Sequence, residues 1–294
     1  MTIIVIGKSG QLAQELKLLD NSVLCLGRRD IDITSAENVN SVLSKHNVTG
    51  IINASAYTAV DKAESEQEQA FSINATGVSN LAQYASLKNV PLMHVSTDYV
   101  FSGDKGSPYK TDDVKAPIGV YGASKLAGEQ AIEQYAPKQG CIIRTSWVYS
   151  EFGHNFVKTM LRMMAEKPQL SIIDDQIGSP TSASALAKAC MYAAINKVTG
   201  PHHFTDAGVC SWYDFALEIQ EYGIAFGLLD KSIEIKPIPT SAYATAAKRP
   251  SYSVLDKATL QTAFDGLQPK HWREELRTVI QQLAAQKTTN RYQT

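Results

Sequence analysis

Cysteine is scarce in this chain. Only Cys25, Cys141, Cys190 and Cys210 occur among 294 residues, far apart and with no Cys-x-x-Cys pair. Such spacing argues against a disulfide framework and reads as free thiols in a reducing compartment. Long apolar runs are missing too, so no stretch reads as a membrane-spanning helix. The opening "MTIIVIGKSG" is too short and lacks the basic flank of a signal peptide. Neither sign of charge dominates, with 28 Lys and Arg against 29 Asp and Glu. Without a basic stripe, nucleic acid and acidic membrane surfaces are poor partners. There is no internal repeat, and no low-complexity segment apart from the polar tail "QKTTNRYQT". The expectation is a soluble, cytoplasmic protein, long enough for one large domain or two interleaved ones.

What the chain does have is alternation. "TIIVIG", "VLCLG", "TGIINAS", "PLMHVST" and "QGCIIRTSWVY" read as strands. Helical patterns separate them: "GQLAQELKLL", a segment capped by Thr34 or Ser35, a long tract from about Glu64 to Lys88, and the helix holding Tyr121. Apolar strands divided by helices predict parallel βαβ units, hence an α/β fold with a Rossmann-like, doubly wound sheet. After residue 148 the rhythm loosens and prolines multiply. Residues 1–148 are therefore expected to form a dinucleotide-binding domain, with a returning segment near 180–208. Residues 149–294 would mainly form a smaller mixed α/β substrate-binding domain.

The first strand ends in "GKSGQLA", placing Gly7 and Gly10 between the first strand and the first helix. A glycine turn there lets backbone N–H groups approach a pyrophosphate, so the reading is dinucleotide binding. The second strand should end in an acid if it holds an unphosphorylated ribose. This chain instead has Gly27 followed by Arg28 and Arg29. Two guanidiniums suit a 2′-phosphate, favouring NADPH with NADH as the alternative. Asp32 and Ile33 follow, where they would flank the adenine.

Tyr121 and Lys125 in "GVYGASKLAGEQAI" are four apart and share a helix face. A cation beside a phenol lowers its pKa and makes it a proton donor near neutral pH. Tyr84 and Lys88 have the same spacing, so location has to choose between the pairs. Strand carboxyl ends form the cleft in such sheets. Tyr121 begins a helix that follows the loop after "PLMHVST", on the cleft side. Tyr84 and Lys88 end a helix that leads into that strand's opposite end. Thr97 and Asp98, in "VSTDYVFSG", stand at the cleft tip of the same strand. Ala56, Tyr57 and Thr58 occupy the loop after the third strand.

Nine segments, in order, resemble the dTDP-4-dehydrorhamnose reductases of the extended short-chain dehydrogenase/reductases. They are "GKSGQLA", "TAVDKAESE", "STDYVFSG", "YGASKLAGEQ", "RTSWVY", "NFVKTMLR", "DDQIGSPT", "SWYDFA" and "RPSYSVLD". The resemblance runs from residue 1 to about 280. It implies that Gly10, Gln11 and Leu12 contact the cofactor pyrophosphate, and that Ala56, Tyr57 and Thr58 face the nicotinamide-side ribose. It also implies Tyr121 as general acid, with Lys125 as its partner. Thr97 takes the family's hydroxyl position, Asp98 lies beside the sugar, and Trp147 packs on the hexose. The implied reaction is NADPH-dependent reduction of the 4-keto group of dTDP-4-dehydro-6-deoxy-L-mannose. The family sometimes uses Mg²⁺ at a dimer contact near the C-terminal end, but no ligands can be named here. Ala13 and Gly27 depart from the family pattern, where Gly and an acid are frequent.

Related scaffolds perform dehydration, 4-epimerisation or other keto-sugar reductions, or serve as non-catalytic NADP-binding subunits. Dehydratases follow the threonine with Asp-Glu, whereas here Tyr99 follows Asp98. Epimerisation needs no additional side chain and stays open. Arg249, in "KRPSYSVLD", suits a substrate diphosphate or is a surface loop arginine. His202 and His203 are neighbours on a strand and point to opposite faces, which argues against a shared metal. The apolar spacing of "MLRMMAE" reads as core, and Glu274 and Glu275 as a solvated helix face.

Overall fold

The computed structural model describes residues 2–291, with side chains as far as residue 287. Five β-strands and their helices build the first half in the expected rhythm. β1 (Thr2–Ile6), β2 (Leu24–Leu26), β3 (Val48–Asn53), β4 (Leu92–Thr97) and β5 (Gly140–Thr145) alternate with α1 (Gln11–Leu19), α2 (Ala36–Leu43), α3 (Val60–Ala63), α4 (Gln67–Phe71), α5 (Gly77–Lys88) and α6 (Val120–Tyr135). Ser35 is the N-cap of α2, its hydroxyl accepting from Asn38 N–H, the arrangement that gives serine its preference there.

The second half contributes β6 (Val148–Tyr149), α7 (Phe156–Glu166), β7 (Gln169–Ile173), β8 (Ile177–Gly178), β9 (Thr181–Ser182) and α8 (Ala183–Asn196). These are followed by β10 (Gly200–His203), β11 (Cys210–Ser211), α9 (Trp212–Ala225), β12 (Glu234–Ile238), α10 (Thr259–Ala263) and α11 (Trp272–Arg291). The last three residues of the polar tail lie outside the described residues. Among the described residues, no helix is long and apolar enough to cross a membrane.

Six strands join in the order β10-β5-β4-β3-β1-β2, and every pairing is parallel. Alternate strand residues serve opposite helical layers. Val5, Ile52, Met93 and Ile143 pack with Leu16 of α1 and Leu186, Ala189 and Cys190 of α8. Ile4, Ile51, Leu92 and Ile142 pack with Val39 of α2, Leu81 and Ala85 of α5, and Ile132 of α6. This two-sided burial explains why the strands read as continuous apolar runs. The chain turns from β2 back across β1 to β3, so the order reverses at β1. The crevice at that switch point is where open α/β sheets take ligands.

The remaining elements form their own core. Val157, Met160 and Met164 of α7 pack there with Phe215 and Ile219 of α9 and with Leu276 and Ile280 of α11. β12 lies parallel to β7 beneath them. The chain returns to the large sheet through α8 and β10. It returns a second time at α10, where Leu260 and Phe264 enter the core shared by α1 and α8. The second return rests on a five-residue helix between irregular segments.

One difference lies upstream of the site. The tract read as a single helix from Glu64 to Lys88 is broken into α4, a π-helical turn at Ser72–Thr76 and α5. Such wide turns interrupt helices mostly at functional sites. Here it buries Asn74, whose amide bonds Tyr57 at both its N–H (2.9 Å) and its carbonyl (3.1 Å) and the Ser124 hydroxyl (3.0 Å).

Candidate active site

Gly7 follows β1 with φ of +125°, a backbone state that favours glycine. A Cβ there would meet the Ala54 backbone at 3.4 Å. Gly10 is the N-cap of α1 and makes no side-chain cap bond, while a Cβ on it would meet nothing within 4 Å. The space beside Gly10 at the start of α1 is therefore open. Gln11 is held from the far half of the chain, its Oε1 accepting from Asn155 Nδ2 at 2.9 Å. Leu12 is buried in the core of that face.

At the tip of β2, Arg28 and Arg29 are exposed. An acid is present after all: Asp30 folds back so that Oδ2 accepts Gly27 N–H at 2.9 Å and Lys8 Nζ at 3.3 Å. Sequence reading sought the acid at Gly27 and missed both Asp30 and Lys8, which only the turn brings together. Asp32 is exposed and spends its Oδ1 on the Thr34 N–H (2.9 Å) and hydroxyl (2.7 Å). Ile33 is buried.

On the loop after β3, Ala56 is half-buried and Thr58 exposed. Tyr57 is buried, and its hydroxyl donates to Glu66 Oε2 at 2.7 Å. That bond raises its pKa.

α6 brings Tyr121 and Lys125 to the carboxyl end of β4. Its N-terminus is capped from a distance: Glu64 Oε1 accepts Val120 N–H at 2.9 Å. Gly122 permits this seat, since a Cβ there would fall 2.2 Å from the Tyr99 carbonyl oxygen. Tyr99 and Tyr121 meet edge to face at 5.5 Å. Thr97 lies beside the Tyr121 phenol and acts to lower its pKa, and its hydroxyl donates to Asp98 Oδ1 at 3.0 Å.

The electrostatics differ from the expectation. Proximity to Lys125 was expected to lower the phenol pKa, whereas burial raises it to about 12, opposed by Thr97 and assisted by Asp98. The reason is where the lysine points. Lys125 Nζ donates to the Val95 carbonyl at 2.7 Å and lies 3.1 Å from His94 Nε2. Burial lowers its pKa to about 8, with Glu129 acting the other way. Asp98 is buried and raised to about 6 by desolvation, with Ser253 and Thr97 beside it acting the other way. Its Oδ2 has no partner within the protein, an orphan acceptor that a ligand donor would satisfy.

Trp147 occupies the left-handed region with φ of +50°, and its ring stacks on Trp212 at 3.5 Å. Trp212 is a neighbour the sequence reading did not pick out, although "SWYDFA" contains it. Arg249 is engaged: Nη2 and Nη1 grip Asp61 at 2.7 and 3.2 Å. His202 and His203 do diverge, His202 toward the Thr199 carbonyl and Phe264, His203 toward Arg144 and the Asp256 carbonyl. Tyr84 and Lys88 border a surface hollow with His46 and Val48 at the amino end of β3, away from the cleft.

Glu129 and Arg144 also escaped the reading, though Tyr121, Lys125 and Glu129 fall at four-residue steps along one helical face. Among the described residues, no group of three or more His, Cys, Asp or Glu is placed to hold a metal. Nothing in the site therefore supports the Mg²⁺ that the resemblance raised.

Comparisons with known proteins bear on the family. The model of the family described as "RmlD substrate binding domain" matches residues 1–285. The dTDP-4-dehydrorhamnose reductase of Aggregatibacter actinomycetemcomitans is 40% identical over 288 residues, covering 94% of this chain and 97% of that protein. Among solved structures, a dTDP-4-dehydrorhamnose reductase from Clostridium acetobutylicum has a TM-score of 0.90 at 36% identity, covering 96% of this chain and 99% of the other. The Bacillus anthracis dTDP-4-dehydrorhamnose reductase in complex with NADP has a TM-score of 0.88 at 35% identity, covering 95% and 98%. The Gly7 turn, the Thr97–Tyr121 pair and a family match along nearly the whole chain point the same way: the chain belongs to the dTDP-4-dehydrorhamnose reductases, a family of NAD(P)H-dependent oxidoreductases.

Proposed function

We propose that this protein reduces the 4-keto group of dTDP-4-dehydro-6-deoxy-L-mannose to give dTDP-L-rhamnose, with Tyr121 as general acid. The observation that carries the reading is the placement of Thr97, at the carboxyl tip of β4, beside the Tyr121 phenol, next to the switch-point crevice. NADPH, when bound, supplies the hydride for C4 of the sugar. Gly7, Gly10 and the first turn of α1 would receive its pyrophosphate, and Arg28 and Arg29 its 2′-phosphate. Ala56, Tyr57 and Thr58 would line the nicotinamide side.

As charge grows on the ketone oxygen, Tyr121 gives it a proton and Thr97 supports it with a hydrogen bond. The high phenol pKa suits a donor, because the proton is in place at every physiological pH. Asp98 would take a sugar hydroxyl on its orphan Oδ2, and Trp147, stacked on Trp212, would offer the hexose an apolar face. The region after residue 148 would hold the dTDP-sugar over the large sheet, in a soluble, cytoplasmic enzyme. The family match gives no number of subunits, and the mechanism requires only one.

The test is NADPH consumption with the enzymatically made dTDP-4-keto sugar, next to Tyr121→Phe. Turnover by the natural protein and a loss of roughly 10²–10⁴ in the variant are expected. Equal turnover in both would remove Tyr121 from the role. Cofactor binding without turnover in either would reject this substrate.

A further inference from the structure

The most unusual polar feature near Tyr121 is a buried chain of side chains running underneath it. Asn53 and His94 are fully buried, on adjacent strands β3 and β4. Asn53 Oδ1 accepts from the Ser55 backbone N–H at 3.2 Å and from the Ser55 hydroxyl at 2.7 Å. Asn53 Nδ2 lies 3.0 Å from His94 Nδ1, and His94 Nε2 lies 3.1 Å from Lys125 Nζ.

A backbone N–H is always a donor, so it fixes the rest of the chain. The Ser55 N–H requires an oxygen opposite it, which leaves the Asn53 amide NH₂ facing the ring. Nδ1 must then accept, and a neutral His94 carries its proton on Nε2. That Nε2–H points at Lys125 Nζ. An ammonium has three donors and no acceptor, whereas an amine has a lone pair. The amine can take the Nε2–H bond and still donate to the Val95 carbonyl.

We propose that His94 is a positioning residue whose Nε2–H, where it faces Lys125, favours the neutral amine and so opposes protonation of the lysine. Protonating Lys125 then requires the ring proton to move to Nδ1 and the Asn53 amide to turn over against Ser55. The lysine's charge is thereby tied to the loop that carries Ala56 and Tyr57. Burial acts in the same direction, as the lowered Lys125 pKa already indicates. The opposing carboxylate is Glu129, one turn along α6, and both its oxygens are occupied by Arg144. From β3 the facing groups are the uncharged Asn53 and Ser55. Asp98, at the tip of β4, acts on Tyr121 and Tyr99.

The consequence for turnover rests on the reductase reading. A Lys125 ammonium favours the phenolate that Tyr121 leaves behind, so turnover falls as pH rises through the lysine pKa. Removing the Nε2–H should move that alkaline limb upward.

The decisive measurement does not depend on that reading. In the full-length, cofactor-free protein, ¹⁵N shifts of the His94 ring report which nitrogen holds the proton. ¹³C labelling at lysine Cε follows Lys125 through its titration. The expected result is a Lys125 midpoint of about 8, with the ring proton on Nε2 above that midpoint and on Nδ1 below it. In His94→Gln the side-chain carbonyl accepts from an ammonium, and the midpoint should rise by about one unit or more. A ring proton that stays on Nδ1 at pH values above the midpoint would overturn the proposal, and so would an unchanged midpoint in folded His94→Gln. The ring measurement needs no variant, so it decides even if His94→Gln does not fold.

Discussion

Glu129, on the helix that carries Tyr121 and Lys125, forms a fully buried two-pronged ion pair with Arg144 of β5. Nε reaches Oε1 at 2.9 Å and Nη2 reaches Oε2 at 2.8 Å. The guanidinium also bonds the Thr111 carbonyl and His203 Nε2 and lies over Phe101. Removing one member of such a pair leaves an uncompensated buried charge, at about 3–5 kcal/mol. Glu129→Gln should lose that much stability in urea unfolding, and Glu129→Leu with Arg144→Met should recover part of it. A loss below about 1 kcal/mol for the single variant would show that the pair is not desolvated as described.

Thr97→Val keeps the shape of the side chain and removes the hydroxyl that donates to Asp98 and lies beside Tyr121. Taking one donor away from a developing oxyanion costs roughly 10²–10³ in kcat. The expected variant binds NADPH normally and turns over slowly. An unchanged kcat would assign the hydroxyl to holding Asp98 alone.

Arg28 and Arg29 give a test of cofactor choice. A hydrogen bond to a charged group is worth about 1.5–3 kcal/mol, so losing one weakens binding by roughly ten- to a hundredfold. The double variant Arg28→Ala, Arg29→Ala should lose NADPH affinity on that scale and leave NADH affinity nearly unchanged. Parallel losses for both cofactors would place the arginines away from the 2′-phosphate.

Glu64 caps α6 although 56 residues separate it from Val120. Lost N-cap bonds cost about 0.5–2 kcal/mol. Glu64→Ala should lower stability by that amount and also reduce kcat, because the first turn of α6 holds Tyr121. A stability loss with full activity would show that Tyr121 does not need the cap.

Asp206 is buried, with Oδ2 accepting Ser182 N–H at 2.8 Å and Oδ1 lacking a partner. Desolvation raises its pKa from 3.8 to about 8. A carboxyl raised on folding binds its proton more tightly in the native state, so stability falls as pH climbs from about 4 towards 8. Asp206→Asn keeps an acceptor for Ser182 and removes the titration. Its Tm should exceed that of the natural protein at pH 8, and the two should converge near pH 4. Parallel Tm curves would show that Asp206 stays ionised.

The sheet was readable because its strands are buried on both faces and end in glycine or polar residues. The Tyr121 pair was separable from the Tyr84 pair by strand direction alone. What resisted reading was set by backbone turns and by long-range contacts. The π turn at Ser72–Thr76 has no breaker residue, so the tract around it reads as continuous helix. Asp30 reaches Gly27 only through the fold-back of its own turn. Lys125 turns toward β4 rather than the phenol because the Val95 carbonyl and the His94 ring meet it there, and spacing along α6 carries no information about a neighbouring strand. His94 did leave a trace, as a polar residue in the middle of an apolar run.

Arg249 bears on how an anion would be captured at that edge of the cleft. Both arms of its fork already grip Asp61, 188 residues away. A phosphate arriving there would not meet a waiting cation. It would have to displace a carboxylate, so its gain is the difference between two similar charge-assisted pairs. Such a swap yields modest affinity, and it releases Asp61 and the short helix α3 as the ligand is seated. Ligand capture at Arg249 is then also a disconnection of the segment around residue 249 from the loop that follows β3.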